Sequence, residues 1–328
     1  MLTKRAFVST AATSGAAAAF GFAKFSRALA DDDYPSRAIH FILPFPAGPT
    51  DLVTRLYAQR ISQDWHEPAV VDARPGATGS IGAEYVARAN PDGYTLLFTV
   101  DLPITMAPNL LKVPYDPQRD LIPVAAVMES SNVLVANAST GIKTLPELIA
   151  AAKAKPGVLT FSSAGIGSPA HFCGEMIAHQ AGITMTHVPF KAAAAAMNGV
   201  LAGTVTVFCG PIGQALPFIK AGKVFALGVS GSKPSPLLPE VAPLSARYPG
   251  LVISNWFGVL APARTPDAIR NKLAAEMKKV YDDPDVKQKL SSLGLEPNWI
   301  PGPQLSQRIA TDLKKWHDLM EQAGIHAG

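Results

Sequence analysis

Short apolar runs alternate with helix-patterned stretches along nearly all of this chain, and that alternation restricts it to α/β architecture with mostly parallel sheets. Strands are expected at 39–43, 69–72 and 94–100. A helix is expected at 51–64, where Leu52, Leu56 and Ile61 recur near helical spacing and Asp51 is placed to cap the first turn. Another follows the turn at 75–79 and runs through Ala87. A second series begins with a helix at 145–154. It continues through a strand at 159–162, a turn at 164–167, a helix at 168–181, a strand at 184–188 and a helix at 192–201. Strands at 205–208 and 226–229 follow. The alanines of 192–201 favour helix intrinsically. Helices at 266–281 and 303–322 end the pattern, the last with Leu305, Ile309, Leu313 and Met320 on about one stripe.

Two extended stretches, 124–136 and 251–260, bracket the second series. The simplest arrangement has two lobes, residues 31–128 plus 257–328 as the first and 129–256 inserted as the second. Two connecting strands then make a hinge, with a cleft between the lobes where a ligand can sit.

The first thirty residues read as a secretory signal peptide. Lys4 and Arg5 supply the charged start, 6–23 is apolar and alanine-rich, and Ala28-Leu29-Ala30 is a small-x-small cleavage site. A membrane anchor fits less well, because Ala, Gly, Ser and Thr fill the stretch and Lys24 and Arg27 interrupt it. Thr3-Lys4-Arg5-Ala6-Phe7-Val8 is similar to a twin-arginine signal with Lys in first place, so export by Sec and by Tat are both open. Either route places the product in the periplasm. The whole chain carries 29 basic and 25 acidic side chains. Without Lys4, Arg5, Lys24 and Arg27, 25 basic residues stand against 25 acidic ones. The basic character belongs to the precursor and gives no support for nucleic-acid binding. Cys173 and Cys209 fit no metal spacing, and whether they form a bridge is open.

No catalytic constellation assembles. Thr78-Gly79-Ser80-Ile81-Gly82 has Thr where a nucleophile elbow needs Gly. Gly76, Gly79 and Gly82 have the wrong spacing for a dinucleotide loop, and Gly165-Ile166-Gly167 is followed by Ala170 where the third glycine belongs. His171 and His179, eight residues apart, sit roughly 80° off a common helix face, so each reads as a structural histidine rather than half of a metal pair. The chain is expected not to be an enzyme and to need no cofactor or metal.

Three turns remain, 45–51, 75–79 and 162–168, all rich in Gly, Ser or Thr. As ordinary strand-to-helix connections they need no function. As helix starts they offer free N–H groups and the positive end of the helix dipole, which suit an anion. A micromolar ligand requires about 8 kcal/mol. Four or five charge-assisted hydrogen bonds at roughly 1.5–3 kcal/mol each supply that after ordering costs, without an arginine.

A series of blocks then falls in one order. It runs through Tyr34-Pro35-Ser36-Arg37, Pro44-Phe45-Pro46-Ala47-Gly48, Asp72-Ala73-Arg74-Pro75-Gly76-Ala77 and Pro91-Asp92-Gly93-Tyr94-Thr95. It continues through Pro114-Tyr115-Asp116-Pro117, His171 with Gly174-Glu175, His187-Val188-Pro189-Phe190-Lys191 and Trp256-Phe257-Gly258. In these the chain resembles the Bug/TctC family, the extracytoplasmic receptors of tripartite tricarboxylate transporters. The resemblance implies a type II periplasmic-binding-protein fold that closes on a small carboxylate: a dicarboxylate, an amino acid or an aromatic acid. It implies ligand contacts from Ala47, Gly48 and Thr50 in the first lobe and from Ser163 and Ser168 in the second. Phe45, Asp101, Ala192 and Gly210 complete the expected lining. The expected partners are the membrane subunits of a transporter, with the receptor itself a monomer. A sensor serving a membrane signalling partner is the alternative, and an enzyme on the same scaffold the third reading.

The chain departs from the family at four places. Its first loop is a glycine short, and Ala164 stands where Ser is usual. A Lys-Gly-Gly stretch reads Lys191-Ala192-Ala193, so that loop is expected to keep to the right-handed region or the helix to start earlier. Asp101 stands where small hydroxyl residues are common. It either caps the turn before Pro103 or faces water, or it points into the cleft. In the cleft it would repel a carboxylate about 4 Å away by roughly 4 kcal/mol and favour a ligand with an amino or hydroxyl group.

Overall fold

The computed structural model describes residues 34–46, 48–166 and 168–322, so the stretch expected to be a signal peptide, Ala47 and Gly167 lie outside the described residues. The chain runs β1 (Ile39–Leu43), α1 (Pro49–Trp65), β2 (Ala69–Ala73), α2 (Ser80–Ala87) and β3 (Thr95–Val100). One π-helical turn (Leu102–Met106) leads into the short α3 (Ala107–Leu110) and then β4 (Leu121–Asn137). Next come α4 (Leu145–Ala154), β5 (Thr160–Ser163), α5 (Pro169–Ala181), β6 (Thr186–Pro189), α6 (Ala193–Leu201), β7 (Val207–Pro211), α7 (Ile212–Lys220) and β8 (Val224–Val229). The chain finishes with β9 (Ser254–Pro262), α8 (Asp267–Asp282), α9 (Pro284–Ser292), β10 (Glu296–Pro301) and α10 (Gly302–Gln322).

The strand order is β2-β1-β3-β9-β4-β7-β5-β6, with β8 and β10 also on β4. The outer pairs β1–β2, β1–β3, β5–β6 and β5–β7 are parallel, as the alternation predicts. Every pair made by β4 or β9 is antiparallel, so "mostly parallel" holds only away from the middle. β4 is long enough to belong to two sheets. Leu121–Ser131 pairs with β9, 132–136 with β7 and 133–137 with β8. The described residues from Pro35 onward form one compact unit.

This arrangement is set by register. β3 ends with Val100 opposite Phe257, which is itself opposite Met128. β7 ends with Pro211 opposite Asn132. β3 and β7 run in opposite directions, so the carboxyl ends of β1–β3 and of β5–β7 approach the middle of β4 from opposite sides. Four residues of strand separate those positions, about 13 Å. Ile42, Leu97, Trp256, Leu260, Leu305 and Ile309 form the core on one side. Phe161, Phe172, Val207 and Leu134 form part of another, which also takes in Met106, Trp316 and Met320. The rings of Phe172 on α5 and Trp316 on α10 lie 5.4 Å apart.

Several expectations are corrected in detail. Asp51 does not cap α1; the helix starts two residues earlier at Pro49, whose fixed φ suits that place, with Gly48 as the capping residue. Asp51 instead pairs with Arg55 at 2.8 Å. The buried face of α1 is Val53, Tyr57 and Ile61, and Leu52 is exposed. Ala192 takes neither of the expected routes: it is extended (φ −156°, ψ 154°) and α6 begins one residue later than the pattern indicates. α7, α9 and β10 are not read from the sequence, α7 because Pro217 sits inside it. Cys173 and Cys209 are both free and buried. Burial pushes the Cys209 thiol well up, with hydrogen bonding to Cys173 adding to the rise.

Candidate functional site

The candidate site is built from strand ends. β1 delivers Phe45 and Gly48 to the start of α1. Pro49 has no N–H to offer and Leu52 N–H is already bonded to Gly48 O, so Thr50 and Asp51 carry the free amides of the first turn. No side chain caps that turn. β2 leads into a left-handed turn in which Gly76, Ala77, Thr78 and Gly79 all have positive φ. Gly79 is required there, since a Cβ would stand 3.1–3.2 Å from Phe45 Cζ and the Pro103 ring. That contact ties the first loop, the left-handed turn and the segment after β3 together.

On the other side, β5 ends at Ser163 and β6 at Pro189. Phe190 N–H donates to Ser163 O at 3.1 Å, joining the two strand ends. Ser168 caps α5: its Oγ accepts from His171 N–H at 3.2 Å and donates to Gly165 O at 2.7 Å. α6 begins at Ala193 with no side-chain cap, leaving the amides of Ala193, Ala194 and Ala195 free of one, and α7 is likewise uncapped. α1, α6 and α7 therefore keep donors in reserve at their first turns, whereas α5 is capped by Ser168 and α4, elsewhere, closes its first turn with a full Thr144–Glu147 capping box.

The expected residues divide accordingly. Phe45, Gly48 and Thr50 stand on one side and Ser163, Ser168, Ala192 and Gly210 on the other, while Ala47 lies outside the described residues. Gly210 has a packing reason of its own, since a Cβ there would stand 2.2 Å from Phe208 Cζ. Asp101 neither caps nor faces water. Its side chain makes no capping bond, it is 1% exposed, and both carboxylate oxygens are buried without a partner. Its N–H donates to Trp256 O at 3.1 Å, and its carbonyl accepts from Ile104 and Thr105. Burial pushes its carboxyl up to about 8; Asp312 adds to the rise, and Lys315 and Arg308 oppose it. The charged groups that bear on it are those of α10.

Sequence reasoning missed a ring cluster behind the Ser163 turn. His187 Nε2 lies 2.7 Å from Ser163 Oγ. Its imidazole stacks on His171 at 4.0 Å and on Phe161 at 4.7 Å. His171 in turn pairs with Glu175 at 3.5 Å. A Ser–His contact raises the question of a nucleophile. Burial, then the neighbouring His171, lower His187 to about 4, against a weaker pull from Glu175, and such an imidazole is a poor general base near neutrality. Among the described residues no group of three His, Cys, Asp or Glu can hold a metal.

A cavity of about 620 Å³ lies on the flank of α2, lined by Arg37, Arg74, Tyr85, Arg88 and Asp92 among others. Its three arginines are already paired, with Asp92, Asp72 and Glu84 respectively, so it offers a carboxylate no surplus positive charge. The uncapped turns fit an anion better.

Comparisons with known proteins bear on the family and the fold. A family model described as the tripartite tricarboxylate transporter family receptor matches residues 53–325. BugT of Bordetella pertussis is 32% identical over 299 residues, 89% of this chain and 91% of its own. The structure of Rpa4515 of R. palustris with adipate is similar at a TM-score of 0.76 and 27% identity, over 90% of this chain and 100% of that one. MatC of Rhodopseudomonas palustris with bound malate is similar at 0.69 and 29%, over 87% and 99%. The mixed α/β fold with its shared strand is that of periplasmic solute-binding proteins.

Proposed function

Since the chain belongs to the tripartite tricarboxylate transporter receptor family, we propose that it is a periplasmic receptor that captures a small carboxylate, dicarboxylates first, for the membrane subunits of such a transporter. The observation that carries this reading is the convergence on the middle of β4 of uncapped turns from two opposite sides. A molecule with an acidic group at each end is matched by two sets of amide donors better than by one. Thr50 and Asp51 serve the first set, and the start of α6 the second. The relatives with adipate and with malate support the same ligand class.

In this reading residues 31–128 with 257–328 make one lobe and 129–256 the other. β4 and β9 are the connections that flex. Among the described residues no helix is long and apolar enough to cross a membrane, which fits export as a free receptor. A thermal-shift screen against mono-, di- and tricarboxylates, acidic amino acids and aromatic acids tests the proposal. Ligand at a hundredfold its Kd stabilises by about 2.7 kcal/mol, so a binder raises Tm by several degrees with concentration. A flat response across the panel contradicts the proposal.

A further inference from the structure

We infer that His187 is a positioning residue for the ligand-binding turn, gripping Ser163 and through it the main chain of Gly165; the ligand part of this inference rests on the receptor reading above. Ser163 Oγ has three neighbours: His187 Nε2 at 2.7 Å, Gly165 N–H donating at 3.2 Å, and Gly165 O at 3.1 Å. Gly165 has a φ of +124°, open to glycine but only one of the many conformations a residue without a Cβ can take, so bonds from its neighbours select it. Ser168 holds its carbonyl, and Ser163 holds its amide. Without an anchor Ser163 Oγ can rotate away, and the Gly165 amide goes with it.

The imidazole is suited to this work because it is fixed on several sides. Residue 187 of β6 is opposite Phe161 of β5, and the two rings stack. α5 lays His171 against the other part of the ring. The titratable groups facing His187 are His171 and Glu175 of α5; β5 contributes Phe161 and Ser163, which carry no charge in this range. Burial first and the neighbouring His171 second disfavour a charge on this ring, so His187 stays neutral and its nitrogen stays on Ser163. This grip does not require Ser163 to touch the ligand with its own hydroxyl. The hydroxyl is spent on shaping the turn, and the turn presents its backbone.

The test uses 15N-labelled protein and the variants His187→Ala, His187→Gln and Ser163→Ala. Hydrogen exchange at the Gly165 amide is read first, then the Kd for malate and for adipate by calorimetry. His187→Ala and Ser163→Ala are expected to speed Gly165 exchange tenfold or more and to weaken binding by a similar factor. His187→Gln, whose amide nitrogen reaches about where Nε2 stood, is expected to recover most of both. Titration of His187 in the unaltered protein is expected to show it neutral down to about pH 5. Unchanged Gly165 exchange in His187→Ala, a Gln variant no better than Ala, or a His187 that charges near 6.5 overturns the inference. If neither acid binds the unaltered protein, the dicarboxylate reading fails for those two probes, and Gly165 exchange still decides the role of His187.

Discussion

Asp101 concentrates the electrostatic cost of this fold in one side chain. A carboxylate with both oxygens buried and unpartnered is expensive when ionised, and it is held protonated up to about pH 8 by burial first and by Asp312 second. The folded state therefore binds a proton that the unfolded chain has lost above about pH 4. Its contribution to stability is present below that pH and falls away as pH rises towards 8. Asp101→Asn removes the linkage. The variant is expected to melt higher at pH 8, by about 1–3 kcal/mol, and to show a flatter Tm between pH 4 and 8; an unchanged slope in calorimetry sinks this account. Thr78 offers a second residue-scale check. Its φ of +58° is left-handed and costs a β-branched residue roughly 1–2 kcal/mol, so Thr78→Gly is expected to raise Tm rather than lower it. The Ser-rich turn was legible from composition, because Ser and Gly are the residues such turns need. His187 was not, because its partner Ser163 is reached only through the pairing of β5 with β6, and sequence shows no register.

Among the elements, α10 does most to fix the crossing strands. Arg308 Nε donates to Asp312 at 2.7 Å, Nη1 to Glu129 of β4 at 3.3 Å and Nη2 to Ser254 of β9 at 3.1 Å. Lys315 reaches Asp312 at 2.9 Å and the Val252 carbonyl at 3.4 Å. One helix thus clasps both strands where one sheet gives way to the other. Arg308→Ala leaves Asp312, 3% exposed, and Glu129 without their main partner, and is expected to cost about 3 kcal/mol in chemical denaturation. A loss below about 0.5 kcal/mol means the cluster is only a solvated surface pair. The apolar stripe of α10 was legible in Leu305, Ile309 and Met320, since helical periodicity needs no tertiary knowledge. Its polar side was not, because the strand partners of Arg308, Ser254 and Glu129, lie 54 and 179 residues away. α6 shows the same limit: its alanines announced a helix, but not that Ala192 would be extended and leave the first turn open.

At the scale of the molecule, the alternation of apolar runs and helices indicated α/β architecture, and the long stretches at 124–136 and 251–260 were visible as β4 and β9. The antiparallel centre was not visible, nor was the convergence of two sets of strand ends on residues 128–132, because both follow from pairing. That convergence is the basis of the receptor reading, and amide chemical shifts test it directly. Titration of 15N-labelled protein with its strongest-binding carboxylate is expected to move the resonances of Thr50 and Asp51 on one side. It is expected to move those of Gly165, Ala193 and Ala194 on the other side along a single binding curve. Shifts confined to one side, or two curves with different midpoints, contradict a ligand held between them.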